Sequence, residues 1–340
     1  MLRLDEKLAR IRAGAYTRKD FIIADAKDPD MGPSLWATGP INDDGKPQRW
    51  RSRDEFLNSI EAILAQDVVD IMLASASNLE QLVKRGAFRT SRVKPAIRAN
   101  DTTDIWQVRG GNYAKSPSRP FRTASLAHVR AGDLLGRGSA GGPSYITDLG
   151  LYSITFNNDI DADMASLEAF AKFRHDAHEQ GFKYFLEVFN PNAAKDLAPD
   201  VMPHFVNDCI VRCLAGLTVV ERPEFLKIAY NGPKALEELA SWDSTLVVGV
   251  LGGGAGTTRD CFELLHQAEK YGARVALFGR KINLAESPLD IVHFMRAVAD
   301  GELAPAEAVK AYHDALSAKK INPTRTLKAD SEITEAALKH

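Results

Sequence analysis

Cysteine is scarce: Cys209, Cys213 and Cys261 are the three in 340 residues. The first two are one helical turn apart in an apolar stretch with no second pair nearby, which excludes a disulfide framework and a four-ligand zinc site and leaves them as reduced packing residues. No apolar run approaches the roughly 20 residues of a membrane span. The opening Met-Leu-Arg-Leu-Asp-Glu-Lys-Leu has no apolar centre of the signal-peptide kind. An excess of either charge is missing too, since 43 Lys and Arg stand against 45 Asp and Glu for a net −2, which argues against a general nucleic-acid binder. No H-E-x-x-H or similar metal spacing occurs; His175 and His178, three apart on a charged helix, read as a solvated face. The expectation is a cytoplasmic protein with no membrane, nucleic-acid or metal partner.

What stands out is Phe225-Leu226-Lys227-Ile228-Ala229-Tyr230-Asn231-Gly232-Pro233. Apolar residues surround Lys227 and Asn-Gly-Pro stops the run, so this is a short buried strand with a lysine in its middle. Burying an ammonium costs several kcal/mol unless it is paired or gives up its proton. A neutral buried amine is a nucleophile of the Schiff-base type. A lysine paired with a carboxylate, or snorkelling from a strand end, is the other reading.

A repeating order surrounds this strand. Further apolar strands are expected at 21–25, 68–73, 95–100, 151–156, 183–189, 246–251 and 274–278, making eight. Helices are expected at 53–66, 78–86, 163–180, 203–216, 233–241 and 258–271, and residues 1–18 suggest an amphipathic helix leading into the first strand. Alternation of this kind implies parallel strands with right-handed crossovers, and the count favours a closed (β/α)8 barrel over an open doubly wound sheet. We therefore expect one α/β domain over residues 1–340, with an insertion at about 101–149 and a C-terminal extension at about 286–340. Helices 288–299 and 304–318 would lie outside the repeat. The insertion is long enough for a lid or binding loop, with a helix near 123–135. Its Gly136–Gly141 segment matches G-x-G-x-x-G, but no apolar strand precedes it, so a dinucleotide site is not expected there.

In such a barrel the chemistry lies at the carboxyl ends of the strands. Polar residues expected there are Asp25 with Lys27, Arg98 and Asn100, Ser153, Thr155 and Asn157, Glu187 and Lys227. A core that only packed would use Val, Ile and Leu, so five strands offering polar groups to one interior point to an active site. Leu251 is followed by Gly252-Gly253-Gly254-Ala255-Gly256, and Phe278 by Gly279-Arg280-Lys281. Glycine amides, the following helix N-termini and the Arg280 fork would suit a phosphate.

Phe225 through Gly232, Val248 through Gly254 and Ala276 through Ile282 resemble the last three strands of the class I aldolases of the deoxyribose-phosphate, archaeal-type fructose-bisphosphate and tagatose-bisphosphate group. The similarity is clearest over residues 222–285. Members are (β/α)8 barrels, usually homo-oligomers, that form an imine between a strand-six lysine and a substrate carbonyl. The resemblance implies that Lys227 is that lysine, that Gly252, Gly253, Gly254, Gly279 and Arg280 bind phosphate, and that Asp25 is the family aspartate near the imine. The tyrosine acid/base of the fructose-bisphosphate branch has no counterpart, because Glu187-Val188-Phe189-Asn190-Pro191 stands in its place. Strand seven also lacks the second lysine of the deoxyribose-phosphate branch. The acid/base is then Glu187 or Asp25, with Arg98, Asn100, Asn157 and Lys27 orienting a small carbohydrate substrate, phosphorylated in the family, and no metal or organic cofactor. An isomerase or transaldolase-like transferase using the same imine, and a non-catalytic sugar-phosphate-binding barrel with Lys227 in an ion pair, remain open.

Overall fold

The structure is a computed structural model and describes residues 2–43, 46–131, 146–254 and 256–339, so the Gly136–Gly141 segment lies outside the described residues. Eight parallel strands close a barrel: β1 (Ile22–Lys27), β2 (Ile71–Ala74), β3 (Lys94–Arg98), β4 (Leu149–Thr155), β5 (Lys183–Phe189), β6 (Leu226–Ile228), β7 (Gly249–Leu251) and β8 (Val275–Phe278). Each strand pairs with its neighbours in sequence, and β1 meets β8 from Ile22 opposite Val275 to Asp25 opposite Phe278. This is the (β/α)8 architecture expected, not the open sheet. The helices are α1 (Arg3–Arg12), α2 (Arg53–Gln66), α3 (Ala76–Lys84), α4 (Leu126–Ala131), α5 (Ile160–Glu179), α6 (Met202–Leu214), α7 (Pro233–Trp242), α8 (Thr258–Lys270), α9 (Arg280–Asn283), α10 (Pro288–Ala299), α11 (Pro305–Ala318) and α12 (Leu327–Asp330). No helix among the described residues is long and apolar enough to cross a membrane.

The strands are apolar on both sides because both faces are covered. One parity, including Ile22, Ala24, Leu73, Phe185 and Phe225, fills the barrel interior, where the Phe185 and Phe225 rings stack at 4.5 Å. The other, including Ile23, Ile97, Leu186, Leu226 and Ile228, packs beneath the helices. Helix α2 shows how local sequence sets an element. Ser52 accepts the Glu55 N–H and Glu55 returns to the Ser52 N–H, a reciprocal cap. The helix ends on Asp67 in the left-handed region (φ 54°), so Val68 and Val69 complete the turn and β2 begins at Ile71, later than expected.

Two features close the barrel at its amino end. Leu4 and Leu8 of α1 join the interior cluster as a plug. Beside them, the fully buried Asp70 accepts Lys7 Nζ at 2.9 Å, Arg296 Nη2 at 2.8 Å and the Ile23 N–H at 2.8 Å. Arg296 belongs to α10, which packs against both α2 and α8. Helix 288–299 is thus the eighth helix of the ring rather than an appendage, a correction that follows from this buried charge cluster. Only from α11 onward does the chain leave the repeat.

The chain beyond α11 returns over the start of α8. Asp330 accepts the Thr258 N–H at 2.7 Å, and Asp260 accepts the Thr334 N–H at 2.7 Å. In the insertion, Asp101–Thr102 pairs antiparallel with Pro120–Phe121 and Trp106 stacks on Tyr113 at 4.3 Å. The helix expected near 123–135 is α4, within the described part of that segment.

Candidate active site

A cavity of about 190 Å³ opens at the carboxyl ends of the strands. Its lining includes Arg98 from β3, Glu187 from β5, Lys227 from β6, Leu251 with Gly252 and Gly253 after β7, and Gly279 with Arg280 after β8. Asp28, Pro29 and Pro33 of the loop after β1 form another wall, and Ile105 and Gln107 of the insertion contribute to the lining.

Lys227 is 6% exposed, and its Nζ lies 2.5 Å from Glu187 Oε1. It shares the interior parity of Phe225, as the strand pattern implied, and it is paired. Glu187 Oε2 accepts the Ser153 hydroxyl at 2.6 Å, and Arg98 Nη2 stands 3.5 Å from the same oxygen. Arg98 donates from Nη1 to Ser153 Oγ at 3.0 Å and from Nε to Asp28 Oδ2 at 2.5 Å. Positive and negative groups therefore alternate through Lys227, Glu187, Arg98 and Asp28, whose side chains are all largely buried. Burial alone would lower the Arg98 pKa, but Asp28, Glu187 and Asp101 more than offset it and raise it. Burial likewise opposes ionisation of Asp28, yet Arg98 and then Lys227 hold its carboxyl below the usual range.

Asp28 was not anticipated. Strand β1 runs two residues further than expected, and Ile22, Ala24, Ala26 and Asp28 continue the inward parity into the cavity. Asp25 and Lys27, expected in the site, fall on the opposite parity with Ile23. They form a buried pair of their own, Lys27 Nζ to Asp25 Oδ1 at 3.0 Å, and neither lines the cavity. Burial pushes the Asp25 carboxyl up and the Lys27 ammonium down, each tempered by the other.

Asn100 and Asn157 also sit apart from the cavity, engaged with backbone. Asn100 accepts the Ser153 N–H at 2.6 Å and donates to its carbonyl at 2.8 Å, clamping β3 to β4. Asn157 accepts the Ala193 N–H at 2.9 Å, tying the loop after β4 to the loop after β5. Side-chain amides at strand ends often satisfy backbone in this way, and no spacing rule separates them from substrate-binding ones.

The glycine loops divide as well. The Gly252 N–H is held by the Leu277 carbonyl at 2.6 Å, and a Cβ there would collide with the Phe278 ring, so this glycine serves close packing of β7 on β8. Gly253, at φ +62°, supports the turn, and Arg280 Nη2 donates to its carbonyl at 3.0 Å from the exposed rim. Gly254 faces a second cavity behind the loop, of about 160 Å³. The N-terminus of α8, expected to favour an anion, is already covered: Asp330 takes the Thr258 amide and Asp260 the Thr257 amide. Any anion would meet the remaining loop amides and Arg280.

Asp101, 3.8 Å from Arg98 Nε, carries a carboxyl pushed up to about 7, chiefly by burial and against the pull of Arg98. Its folded value lies above the ordinary value near 3.9. The folded protein therefore keeps a proton that the unfolded chain releases, and stability falls as pH rises from about 4 to about 7. Asp101→Asn removes that loss. Thermal melts should show a larger gain for the variant at about pH 8 than at about pH 5; an equal shift at both would contradict this reading.

No protein-family model and no curated protein matches the chain. Among solved structures it is similar to a Schiff-base-forming fructose-1,6-bisphosphate aldolase, with a TM-score of 0.58 and 16% identity over 87% of this chain and 98% of the other. It is similar to an archaeal fructose 1,6-bisphosphate aldolase at 0.59 and 15%, over 88% and 99%. A protein of Corynebacterium glutamicum gives 0.55 and 17%, over 88% and 98%. At these identities the likeness is one of fold. The chain shares the (β/α)8 barrel of these proteins.

Proposed function

We propose that the protein is a class I aldolase that cleaves or forms a carbon–carbon bond of a ketose or ketose phosphate through an imine on Lys227. The observation that carries this reading is the contact of Lys227 Nζ with Glu187 Oε1 at 2.5 Å on the cavity lining. A nucleophile in hydrogen-bond reach of a base, itself oriented by a third group, is the arrangement covalent catalysis requires. The fold likeness to imine-forming barrels agrees with it.

In this reading Glu187 takes a proton from the Lys227 ammonium, and the amine adds to the substrate carbonyl. Loss of water gives an iminium. In the cleavage direction a carboxylate removes the proton of the hydroxyl on the far carbon of the breaking bond, beta to the iminium carbon. That oxygen becomes an aldehyde, and the bond's electron pair moves into the iminium to give an enamine. Protonation of the enamine carbon and hydrolysis return Lys227. Glu187 would carry the proton transfers, with Asp28 in the role first considered for Asp25. Arg280 and the Gly253 loop would hold a phosphate at the rim. A small carbohydrate substrate and a cytoplasmic homo-oligomer belong to the same proposal.

The test is product analysis with a panel of ketose phosphates. Aldolase action yields two carbonyl fragments in equal amounts. Isomerised sugar without fragments would instead indicate an isomerase. The Lys227–Glu187 ion pair also suits a binding-only barrel, for which the same panel would bind and return unchanged.

A further inference from the structure

Ser153 joins the two sides of the charged site. Its hydroxyl has one proton and meets a guanidinium, which only donates, and a carboxylate, which when ionised only accepts. The direction is therefore set: Arg98 Nη1 donates to Oγ at 3.0 Å, and Oγ donates to Glu187 Oε2 at 2.6 Å. We infer that Ser153 is a positioning residue that tethers one oxygen of Glu187 and leaves the other, Oε1, to Lys227 and the substrate. This rests on the imine reading above.

The geometry shows what the hydroxyl prevents. Arg98 Nη2 is 3.5 Å from Glu187 Oε2, too far for a good hydrogen bond but near enough to close on it. Paired guanidinium and carboxylate groups favour a two-bond fork. With the hydroxyl gone, Glu187 would turn to Arg98 with both oxygens and leave Lys227. The Asp28 bond to Arg98 Nε does not block this, because it occupies a different edge of the guanidinium. One fault would fall before the imine, where a displaced Glu187 takes the Lys227 proton more slowly, and a second after it, when Lys227 no longer holds Oε1 as an ammonium. At that stage Glu187 must take a proton from the carbon beside the iminium, whose electrons pass to nitrogen to give the enamine. Returning a solvent-derived proton to that carbon completes an exchange.

Backbone damage is not the expected cause of any loss. Asn100 holds both the N–H and the carbonyl of residue 153 whatever its side chain. The experiment uses the full chain with dihydroxyacetone phosphate and reads two quantities. Borohydride trapping reports the imine, and deuterium uptake from heavy water at the carbon beside the carbonyl reports proton transfer. Ser153→Ala should still trap at Lys227 once the imine has reached equilibrium, with a half-saturating concentration within about twofold of wild type, because a displaced base slows imine formation without changing its equilibrium. Its exchange should fall about 10- to 100-fold, part of the roughly 10²–10⁴ that a positioned acid–base group supplies. Ser153→Thr, which keeps the hydroxyl, should recover most of the rate. Wild-type exchange in Ser153→Ala, or equal losses in alanine and threonine variants with melting unchanged, overturns the inference alone. Absence of any wild-type adduct with dihydroxyacetone phosphate or the ketose-phosphate panel overturns the imine reading and this inference with it.

Discussion

Lys227→Met should remove carbon–carbon cleavage altogether, a loss of at least about 10⁴-fold in kcat, because no other lysine among the described residues lines the cavity to supply the electron sink. Methionine keeps the length and the apolar stem, so the cavity retains its shape. The variant leaves Glu187 without its nearest cation, but Arg98 and the Ser153 hydroxyl still contact the other oxygen. Stability should fall by less than the roughly 3–5 kcal/mol typical of a buried ion stripped of all partners. Steady-state turnover together with a denaturant titration checks both parts. A variant that unfolds leaves the chemistry to Lys227→Arg, which retains the charge but forms no comparable imine. If either variant keeps more than about a tenth of wild-type turnover, Lys227 is not the nucleophile.

The other large effect is on folding and lies at the opposite end of the barrel. Asp70→Ala should destabilise the protein by about 3–5 kcal/mol, the cost of breaking a buried ion cluster from one side. Asp70 is 0% exposed, and its carboxylate gathers Lys7 from the plug helix, Arg296 from the eighth helix and the backbone of β1. Burial already lowers Lys7 to about 8 despite Asp70 beside it. Losing the carboxylate would leave Lys7 with the Phe21 carbonyl, and Arg296 with that carbonyl and Asp300. Urea titration at neutral pH measures the change, and Asp70→Asn, which keeps an acceptor for the Ile23 N–H, should lose less. A loss under about 1 kcal/mol, as for a surface pair, would show that the cluster does not fasten the barrel.

How much of this was legible follows from what each pattern encodes. Strand 183–189 and helix 53–66 match the expected bounds because each is bordered by clear signals, the Ser52 cap in one case and a polar turn in the other. The meeting of Lys227, Glu187 and Arg98 was implied by strand parity alone, since polar residues in buried strands are conspicuous. Parity failed at β1, where Ile22, Ile23, Ala24 and Ala26 are apolar on both sides and give no sign of which way Asp25 points. Only the true strand end at Lys27 resolves it, and that depends on pairing with β2, where Lys27 stands opposite Ala74. The commitments of Asn100 and Asn157 are tertiary and leave no local trace. Nor does the crossing of the C-terminal tail to α8, which brings Asp330 onto the Thr258 amide from 72 positions away.

The most direct test of the central claim is to incubate the protein with dihydroxyacetone phosphate and a panel of ketose phosphates, reduce with borohydride, and map the modified peptide by mass. The account predicts one adduct per chain, on Lys227, absent from Lys227→Met and lost when substrate is omitted. An adduct on Lys27 or any other lysine, or ligand binding with no adduct across the panel, would contradict it.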